Sequence, residues 1–360
     1  MATLSTAVAK AKPIRKTVNL KKIDEPIILV CESTRYDSAL RWLVRHDLAD
    51  KVLPLSLNPR IDTSVSAAVE FLKTRSEKIF IHHDRARKVA LSFIKNGIHE
   101  FGFSGSPGYV VAHFDAQFLK RNKQRLINIY NSLEDDDSKV TFASIVSYRM
   151  TGDHAYLKTS RYIEYEHPIV KPHHGEWVID CGAANGTTSF RFAKMVGFSG
   201  KCVAVEPDPR NVSIIKNRIE NENITFNIDI ENCAVSDAPG ELLFSSGLGG
   251  SSQISSEGDI HVSVDTINNI AYRQNLKGIG TISIDIEGFE KQCLDGGLDF
   301  IKENRPKLQI STYHKPNDIM DLAEWVFDNL DNYALFMGHH ETNHCETDYY
   351  AIPREYLAVA

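Results

Sequence analysis

The sequence predicts an α/β protein in which a smaller domain with a parallel sheet precedes a larger domain with a seven-strand doubly wound sheet. Short apolar runs of strand type alternate with segments whose apolar residues recur at helical spacing. This alternation occurs in residues 23–133 and again in residues 171–360, with a helical connector over residues 134–170. The halves also differ in charge. Residues 1–150 contain 24 Lys and Arg against 16 Asp and Glu, whereas residues 151–360 contain 17 against 31.

The first domain follows a polar, basic segment over residues 1–22, which predicts a flexible tail. Each predicted strand is followed by a helix, so the strands should form a small parallel sheet with helical crossovers. None of the strand-to-helix turns is rich in glycine, and no nucleotide site is predicted there. The strands are predicted at Pro26–Cys31, Lys51–Leu55 and Lys78–Ile81, and the helices at residues 37–48, around Val65, Val69 and Leu72, and around Val89, Phe93 and Ile94.

The connector contains two helical patterns separated by an acidic run. The first pattern covers Gln117–Asn131, and the second ends at Met150. The run Glu134–Asp137 directly precedes the second pattern. Carboxylates at this position cap the first free N–H groups of a helix and interact favourably with its dipole. We therefore interpret the run as a helix start, with metal binding as the alternative.

The second domain repeats the alternation more sharply and ends in a pair of strands. The order of its elements predicts a doubly wound sheet with an antiparallel terminal hairpin. Strands are predicted at residues 177–180, 201–206, 228–235, 241–244, 280–286, 307–311, 333–337 and 347–352, helices at residues 189–196, 210–221, 264–274, 290–303 and 318–330, and a loop rich in Gly and Ser at residues 247–258.

Composition excludes several classes of protein. The longest strongly apolar run, Ile27–Cys31, is far shorter than the ~20 residues of a membrane helix. The first 20 residues contain no apolar segment of a secretory signal. The six cysteines lack C-x-x-C spacing, which is typical of reduced core thiols in a cytoplasmic protein. The acidic balance of residues 151–360 argues against a nucleic-acid substrate.

The first turn of the second domain carries a glycine motif. A strand leads into Asp180, then Gly182 and Gly186, and a helix follows. The glycines permit a tight turn and the close approach of a ligand, while the helix start offers free N–H groups to a carboxylate or phosphate. The next strand ends in Glu206, where an acidic residue accepts hydrogen bonds from the hydroxyls of an adenosine ribose.

The identity of the residues in this turn favours one adenosine cofactor over another. A dinucleotide motif would place glycines at the positions of Ala184 and Thr187. The Asp180 carboxylate would repel a pyrophosphate but would attract an ammonium group. S-adenosylmethionine carries an ammonium, a carboxylate and a sulfonium. We therefore predict an S-adenosylmethionine site, with a nicotinamide dinucleotide as the alternative.

A second group of polar residues follows the fourth strand of the predicted doubly wound sheet. Asp285, Glu287 and Glu290 lie close together at its end, and Tyr313 and His314 follow the next strand. The carboxyl ends of parallel strands meet at one edge of a sheet, where open α/β sheets bind ligands. We expect these side chains to lie beside the cofactor.

Among these residues we predict the catalytic group to be Asp285, Glu287 or His314. His314 has the side chain best suited to accept a hydroxyl proton near pH 7. The acids near Asp285 leave Mg²⁺ binding open as an alternative. No metal ligand is assigned, because no carboxylate is spaced to complete a site with the histidines near the C-terminus, His339, His340 and His344.

Over about residues 165–352 the chain resembles the FkbM-type class I methyltransferases, most of which methylate hydroxyls of sugars, glycolipids and polyketides. Residues 133–152 also resemble the helical lead-in of longer members of this family. Where the family commonly has Lys, two residues before Asp285, this chain has Ser283. The resemblance is carried by Val178–Gly186, Val205–Asp208, Cys233–Asp237, Ile284–Gly288 with Glu290, and Tyr313 with His314.

This resemblance implies a methyltransferase that uses S-adenosylmethionine to methylate a hydroxyl of a sugar, a glycolipid or a similar small acceptor. A nicotinamide-dependent oxidoreductase and a non-catalytic binding protein on the same fold are the alternatives. The N-terminal domain leaves a homo-oligomer open. The expected cofactor-binding residues are Asp180, Gly182, Ala183, Asn185, Gly186, Glu206, Pro207, Ala234 and Asp237.

Overall fold

The computed structural model divides the chain into two compact units. One comprises Met1–Tyr130, Val140–Thr159 and His340–Cys345, and the other Asn131–Lys139, Ser160–His339 and Glu346–Ala360. The predicted domain limits near residues 22, 133 and 170 stay predictions. The structure describes residues 27–32, 52–57, 68–75, 78–82, 93, 98, 102–103, 114, 116–151, 154–221, 227–245, 253–254, 260–341 and 345–357.

The described residues of the first unit form a parallel sheet, as the sequence predicts, with a fourth strand beyond the three predicted. Its strand order is β2-β1-β3-β4, and each neighbouring pair is parallel. Residues 68–72 are helical and include the predicted Val69, while the predicted helices at 37–48 and 89–94 lie outside the described residues except for Phe93. The strands are β1 (Ile27–Glu32), β2 (Val52–Leu57), β3 (Lys78–His82) and β4 (Gly102–Phe103).

Two helices follow in the chain, α1 (Ala116–Ser132) and α2 (Asp136–Thr151). The Ser138 N–H donates to Asp135 Oδ1 at 2.7 Å, just before the first turn of α2. This contact satisfies one of the free N–H groups at the helix start. The interpretation of the acidic run as a helix start is confirmed.

The described residues of the second unit form the remaining strands and six helices. The strands are β5 (Trp177–Cys181), β6 (Lys201–Val205), β7 (Ile228–Glu231), β8 (Ala234–Val235), β9 (Gly240–Ser245), β10 (Gln253–Ile254), β11 (Ile260–Asp265), β12 (Gly280–Ile284), β13 (Lys307–Ser311), β14 (Tyr333–His339) and β15 (Thr347–Pro353). The helices are α3 (Thr187–Val196), α4 (Pro209–Asn221), α5 (Ile267–Arg273), α6 (Glu290–Gly296), α7 (Leu298–Asn304) and α8 (Asp318–Asn329).

The main sheet of this unit has seven strands in the order β14-β15-β13-β12-β5-β6-β7. The five strands from β13 to β7 pair in parallel, and β15 is antiparallel to both β13 and β14. Every residue of β5, β12 and β13 is buried. Strands buried on both faces are expected where helices cover a parallel sheet. The predicted doubly wound sheet with an antiparallel terminal hairpin is confirmed.

A smaller sheet, with the order β10-β9-β11-β8, corrects two of the predicted elements. The single strand predicted over residues 228–235 is wrong, because β7 and β8 belong to different sheets. The helix predicted from Val264 begins only at Ile267 in α5, after a Thr266 cap whose side chain accepts from the Asn269 N–H. Ile260, Val262 and Val264 alternate inward along β11, a period of two that the helical interpretation overlooked.

The single helix predicted over residues 290–303 is also wrong, because α6 and α7 are separate helices. Gly296 and Gly297 lie where they meet. A Cβ on Gly296 would lie 2.1 Å from the Ser236 carbonyl oxygen, so only glycine allows this close packing. Two adjacent glycines also have low helix propensity.

Two further observations on the described part of the chain concern membrane helices and cysteines. None of its helices has both the length and the apolar character needed to cross a membrane. Four of its cysteines, Cys181, Cys202, Cys233 and Cys293, are buried free thiols. They pack as small apolar residues, as expected for reduced core cysteines.

Candidate functional site

The glycine turn after β5 packs against the backbone at the end of β12. Gly182 has φ +92°, and a Cβ there would lie 1.9 Å from the Asp285 carbonyl oxygen. The Gly182 N–H donates to the Val205 carbonyl, and the Asp285 N–H donates to the Cys181 carbonyl, each at 3.0 Å. The ends of β6, β5 and β12 therefore meet, and the two predicted motifs lie at one edge of the sheet.

Glu206, at the end of β6, bridges the glycine turn and the start of α4. Its Oε2 accepts from the Ala184 N–H at 2.8 Å, and its Oε1 accepts from the Asp208 N–H at 2.8 Å and from Asn211 Nδ2 at 3.2 Å. Burial raises the pKa of Glu206 to about 7, and these hydrogen bonds limit the increase. A carboxylate has about four acceptor positions, so about one is left for a ribose hydroxyl.

The N-terminus of α3 faces the same turn. Gly186, with φ +81°, precedes the helix and offers no side chain to cap it. Asn185 Oδ1 accepts from the Thr187 N–H and hydroxyl at 3.1 and 2.7 Å, and Arg218 donates to the Asn185 carbonyl at 3.0 Å. Asn185 therefore holds the turn in place. A helix start of this kind suits a carboxylate.

Asp180 lies beneath the turn as a buried carboxylate. Its side chain accepts a hydrogen bond from the Ser189 hydroxyl of α3. Burial raises the pKa of Asp180 to about 7, although the Ser189 hydrogen bond acts in the opposite direction. The described contact of Asp180 is thus internal to the fold, and the predicted pairing with an ammonium group stays a prediction.

The remaining predicted cofactor residues have structural contacts. Ala183 packs in an apolar cluster with Ala204 and Ile215, and the Ala234 methyl packs in another, beside Phe244. The carbonyl oxygen of Pro207 accepts from Asn232 Nδ2 at 3.1 Å. In addition, the exposed Asp237 accepts from the Ser236 hydroxyl at 3.0 Å.

The carboxylate of Asp285 is held by two tyrosines. The Tyr165 hydroxyl donates to Oδ2 at 3.0 Å, and the Tyr313 hydroxyl lies 3.2 Å from Oδ2 and 3.3 Å from Oδ1. The side chain of Asp285 is 28% exposed. These hydrogen bonds orient a carboxylate that remains open to a ligand.

His314 lies among three carboxylates. Its Nδ1 is 2.9 Å from Glu290 Oε1, and its Nε2 is 3.4 Å from Asp285 Oδ1 and 3.6 Å from Glu287 Oε2. Glu290 Oε1 also accepts from the Ile286 and Gly288 N–H groups. The structure thus brings together the three predicted catalytic side chains and adds Glu290.

The charges in this cluster change the protonation of its members. Burial alone would lower the pKa of His314, but the hydrogen bond and charge of Glu290 and the charges of Asp285 and Glu287 raise it to about 10. Burial raises the pKa of Glu287 to about 7. Burial also favours a higher pKa for Glu290, yet the hydrogen bond and charge of His314 and the Gly288 N–H together lower that pKa. In the ligand-free protein His314 is therefore protonated at neutral pH.

Glu287 and Tyr165, which contacts Asp285, have left-handed backbone conformations. Glu287 has φ 56° and Tyr165 has φ 61°. Residues other than glycine seldom adopt this conformation, and it concentrates at functional sites where the surrounding fold enforces it. The Glu287–Gly288 turn therefore presents its carboxylate at a defined position.

One group of described side chains has the composition of a metal site. Asp285, Glu290 and His314 each offer one ligand atom, and these atoms lie within 4.8 Å of one another. Of the histidines near the C-terminus, His339 has Nδ1 2.8 Å from the Thr347 hydroxyl, whereas His344 lies outside the described residues.

Comparison with known proteins supports the resemblance seen in the sequence. Residues 180–336 match the family model of the methyltransferase FkbM domain. The chain contains a methyltransferase FkbM domain. Of the motifs that carry the resemblance, all but Val178 and Ile179 lie within the matched residues. The match supports a methyltransferase role for this domain.

One solved structure shares the fold over most of the chain, and others match about half of it. The structure of a methyltransferase FkbM from Methylobacillus flagellatus KT is 18% identical, with a TM-score of 0.64 over 91% of this chain and 90% of that one. An rRNA methylase from Streptococcus thermophilus is 12% identical, with a TM-score of 0.32 over 52% of this chain and 89% of that one. A SAM-dependent methyltransferase from Aquifex aeolicus is 14% identical, with a TM-score of 0.29 over 50% and 84%. No curated protein matches the chain in sequence.

Tyr165 lies before the residues that match the FkbM domain, and the sequence did not indicate its role. It is 120 residues away from Asp285 in the chain. Gln309 Nε2 on β13 donates to the carbonyls of Tyr165 and Val170, each at 2.9 Å. The segment before β5 is thereby fixed to the sheet. No local pattern reports such a contact, because it depends on how the segment returns across the domain.

Proposed function

We propose that the FkbM domain transfers a methyl group from S-adenosylmethionine to a hydroxyl oxygen of a sugar, a glycolipid or a similar small acceptor. The packing of Gly182 against the Asp285 carbonyl oxygen supports this proposal most directly. This packing brings the glycine turn that Glu206 holds next to Asp285 and His314, at the carboxyl edge of the sheet. The part of the site proposed for the cofactor therefore adjoins the part proposed for the acceptor.

The residues at the glycine turn fit the cofactor. Glu206 has an acceptor position left for a ribose hydroxyl, and the start of α3 offers N–H groups to the cofactor carboxylate. The charge of Asp180 beneath the turn would attract the ammonium group. When bound, S-adenosylmethionine supplies an electrophilic methyl group on a sulfonium.

The residues of the second cluster would act on the acceptor. Asp285 is oriented by the hydroxyls of Tyr165 and Tyr313, and its carboxylate can accept a hydrogen bond from the acceptor hydroxyl. The negative charges of Asp285 and Glu287 also attract a positively charged group bound beside them, such as the sulfonium of the cofactor. Holding the oxygen close to the methyl group, in line with the bond that breaks, supplies much of the rate acceleration.

Cofactor binding tests the first part of the proposal. Glu206→Ala removes the carboxylate that fixes the turn and accepts the ribose hydroxyl. Its affinity for S-adenosylmethionine should fall by about 1.5–3 kcal/mol, or ~10- to 150-fold, in calorimetry. Glu220→Ala changes an exposed acid on α4 and should bind like the wild type. Absence of binding by the wild-type protein, or equal affinity in Glu206→Ala, contradicts the proposal.

Methyl transfer tests the acceptor class. The full chain, incubated with S-adenosylmethionine carrying a labelled methyl group, should label hydroxyl-bearing sugars or glycolipids from an acceptor panel. Mass spectrometry and NMR of the product should locate the label on oxygen. Label on nitrogen or carbon would overturn O-methylation while leaving methyl transfer in place. Binding of a nicotinamide dinucleotide in place of S-adenosylmethionine would support the oxidoreductase alternative.

A further inference from the structure

We propose that His314, Asp285 and Glu287 bind a divalent transition-metal ion of the Mn²⁺ type, and that Glu290 positions the imidazole. The proposed methyl transfer does not itself require a metal. Binding of the ion is independent of the proposed function. Only the role of the ion toward the acceptor hydroxyl rests on the proposed function.

The distances suit a shared ion. Two ligand atoms bound at about 2.1 Å to one tetrahedral or octahedral ion lie roughly 3.0–3.4 Å apart. His314 Nε2 is 3.4 Å from Asp285 Oδ1 and 3.6 Å from Glu287 Oε2. A shared ion would require both carboxylates to rotate toward Nε2. Three protein ligands leave coordination positions open for water or an acceptor hydroxyl.

The imidazole is buried, and its Nε2 faces the carboxylates of Asp285 and Glu287 without forming a hydrogen bond to either. The His314 side chain is 8% exposed, and within the described residues its Nε2 has no hydrogen-bond partner. A metal ion that displaces the proton of this nitrogen would meet a lone pair already aimed at the carboxylates.

The other side of the imidazole has the support that metal-binding histidines usually have. Glu290 Oε1 lies 2.9 Å from His314 Nδ1, and the Ile286 and Gly288 N–H groups hold the same oxygen. A carboxylate that accepts from the second ring nitrogen fixes the tautomer in which Nε2 faces the metal. The Tyr165 hydroxyl on Oδ2 similarly turns Oδ1 of Asp285 toward His314.

The donor set selects the type of ion. Mg²⁺ and Ca²⁺ prefer oxygen ligands, whereas imidazole nitrogen favours Zn²⁺ and related transition metals. One imidazole with two carboxylates suits Mn²⁺, and Zn²⁺ is its main competitor. Such an ion would act as a Lewis acid on an acceptor hydroxyl bound beside Asp285 and would make its proton easier to lose.

Binding of Mn²⁺ to the chelator-treated full chain tests the inference. The signal of free Mn²⁺ in electron paramagnetic resonance should fall as about one ion binds per chain. His314→Gln should weaken this binding at least ~10-fold, and Glu290→Gln should weaken it by ~10–100-fold through loss of the positioning contact. His174→Gln, which changes an exposed imidazole, is the matched control and should bind normally. Zn²⁺ should displace the bound Mn²⁺.

Further measurements separate the possible failures. Circular dichroism shows whether each variant is folded, and Asp285→Asn replaces His314→Gln if that variant does not fold. Binding absent below about 1 mM Mn²⁺, or unchanged in a folded ligand variant, overturns the inference. S-adenosylmethionine binding by the same wild-type sample reports on the proposed function separately. Cofactor binding without Mn²⁺ binding overturns only the inference of a metal site. Mn²⁺ binding without cofactor binding overturns only the proposed function.

Discussion

At the residue scale, the site depends on carboxylates that are held inside the fold. Asp180 is 3% exposed and Glu206 is 4% exposed. Taking a carboxylate out of water disfavours its charged form, and hydrogen bonds from Ser189 and from the turn offset only part of that cost. Such groups reduce stability at neutral pH, which is a common property of residues kept for function.

Asp180→Asn should become more stable than the wild type as the pH rises. Below about pH 4 the acid is protonated in both the folded and unfolded states, and the two proteins should be similar. Between about pH 4 and 7 the unfolded wild-type chain loses this proton while the folded protein keeps it, so the unfolding free energy of the wild type falls. The variant should be more stable by about 2–4 kcal/mol at pH 8.

Urea unfolding at pH 4.5 and pH 8 measures this difference. Asp331→Asn changes an exposed acid and should show no such trend. A stability difference between Asp180→Asn and the wild type that is the same at both pH values would show that Asp180 is ionised in the folded protein throughout.

At the element scale, the close approach of strand ends builds the site. The turn after β5 reaches the end of β12 because Gly182 has no Cβ and has a left-handed backbone. The turns after β6 and β13 add Glu206 and His314 to the same edge. The geometry of the site therefore depends more on turns than on helices or strands.

Gly182→Ala should disrupt this packing. The added methyl carbon would lie 1.9 Å from the Asp285 carbonyl oxygen, and φ +92° is unfavourable for alanine. We expect a loss of about 3 kcal/mol or more of unfolding free energy in urea denaturation. Gly240→Ala is the matched control, since a Cβ there meets nothing within 4 Å, and it should change stability by less than about 1 kcal/mol. Equal effects of the two substitutions would contradict the role assigned to Gly182.

At the scale of the whole molecule, the segment before β5 is part of the second unit. Lys307 on β13 is 2% exposed, and its Nζ donates to Glu176 Oε2 and to the Lys171 carbonyl, each at 2.6 Å. Burial lowers the pKa of Lys307, and Glu176 opposes this effect. Together with the contacts of Gln309, this ion pair holds the segment that carries Tyr165 on the sheet.

Glu176→Gln should destabilise the protein because it leaves the Lys307 ammonium buried without its counter-ion. Loss of one partner of a buried pair typically costs about 3–5 kcal/mol, measured here as unfolding free energy. Lys307→Met, which removes the charge and keeps the length, should cost less than Glu176→Gln. Glu134→Gln breaks a pair with Arg354 that is exposed on both sides and should cost no more than about 1 kcal/mol. A cost for Glu176→Gln as small as that of Glu134→Gln would show that water screens the pair.

The sequence by itself determined the parallel sheets, the glycine turn and the acidic edge, because these features follow from local patterns. Continuous apolar runs identify buried strands, and the end of a parallel strand gives the position of its polar residues. The separation of β7 from β8 was decided by which sheet each segment joins, and local periodicity does not specify this. The strand at Val264, in contrast, has a local period of two that the helical interpretation overlooked.

Only the tertiary structure decided how the site is completed. The Tyr165 hydroxyl meets Asp285, Glu290 supports His314, and Lys307 holds the segment before β5 through Glu176. Two of these contacts join residues more than a hundred positions apart, and their partners are selected by packing and desolvation across the whole unit. The pKa values depend on the same burial, which exists only in the folded chain.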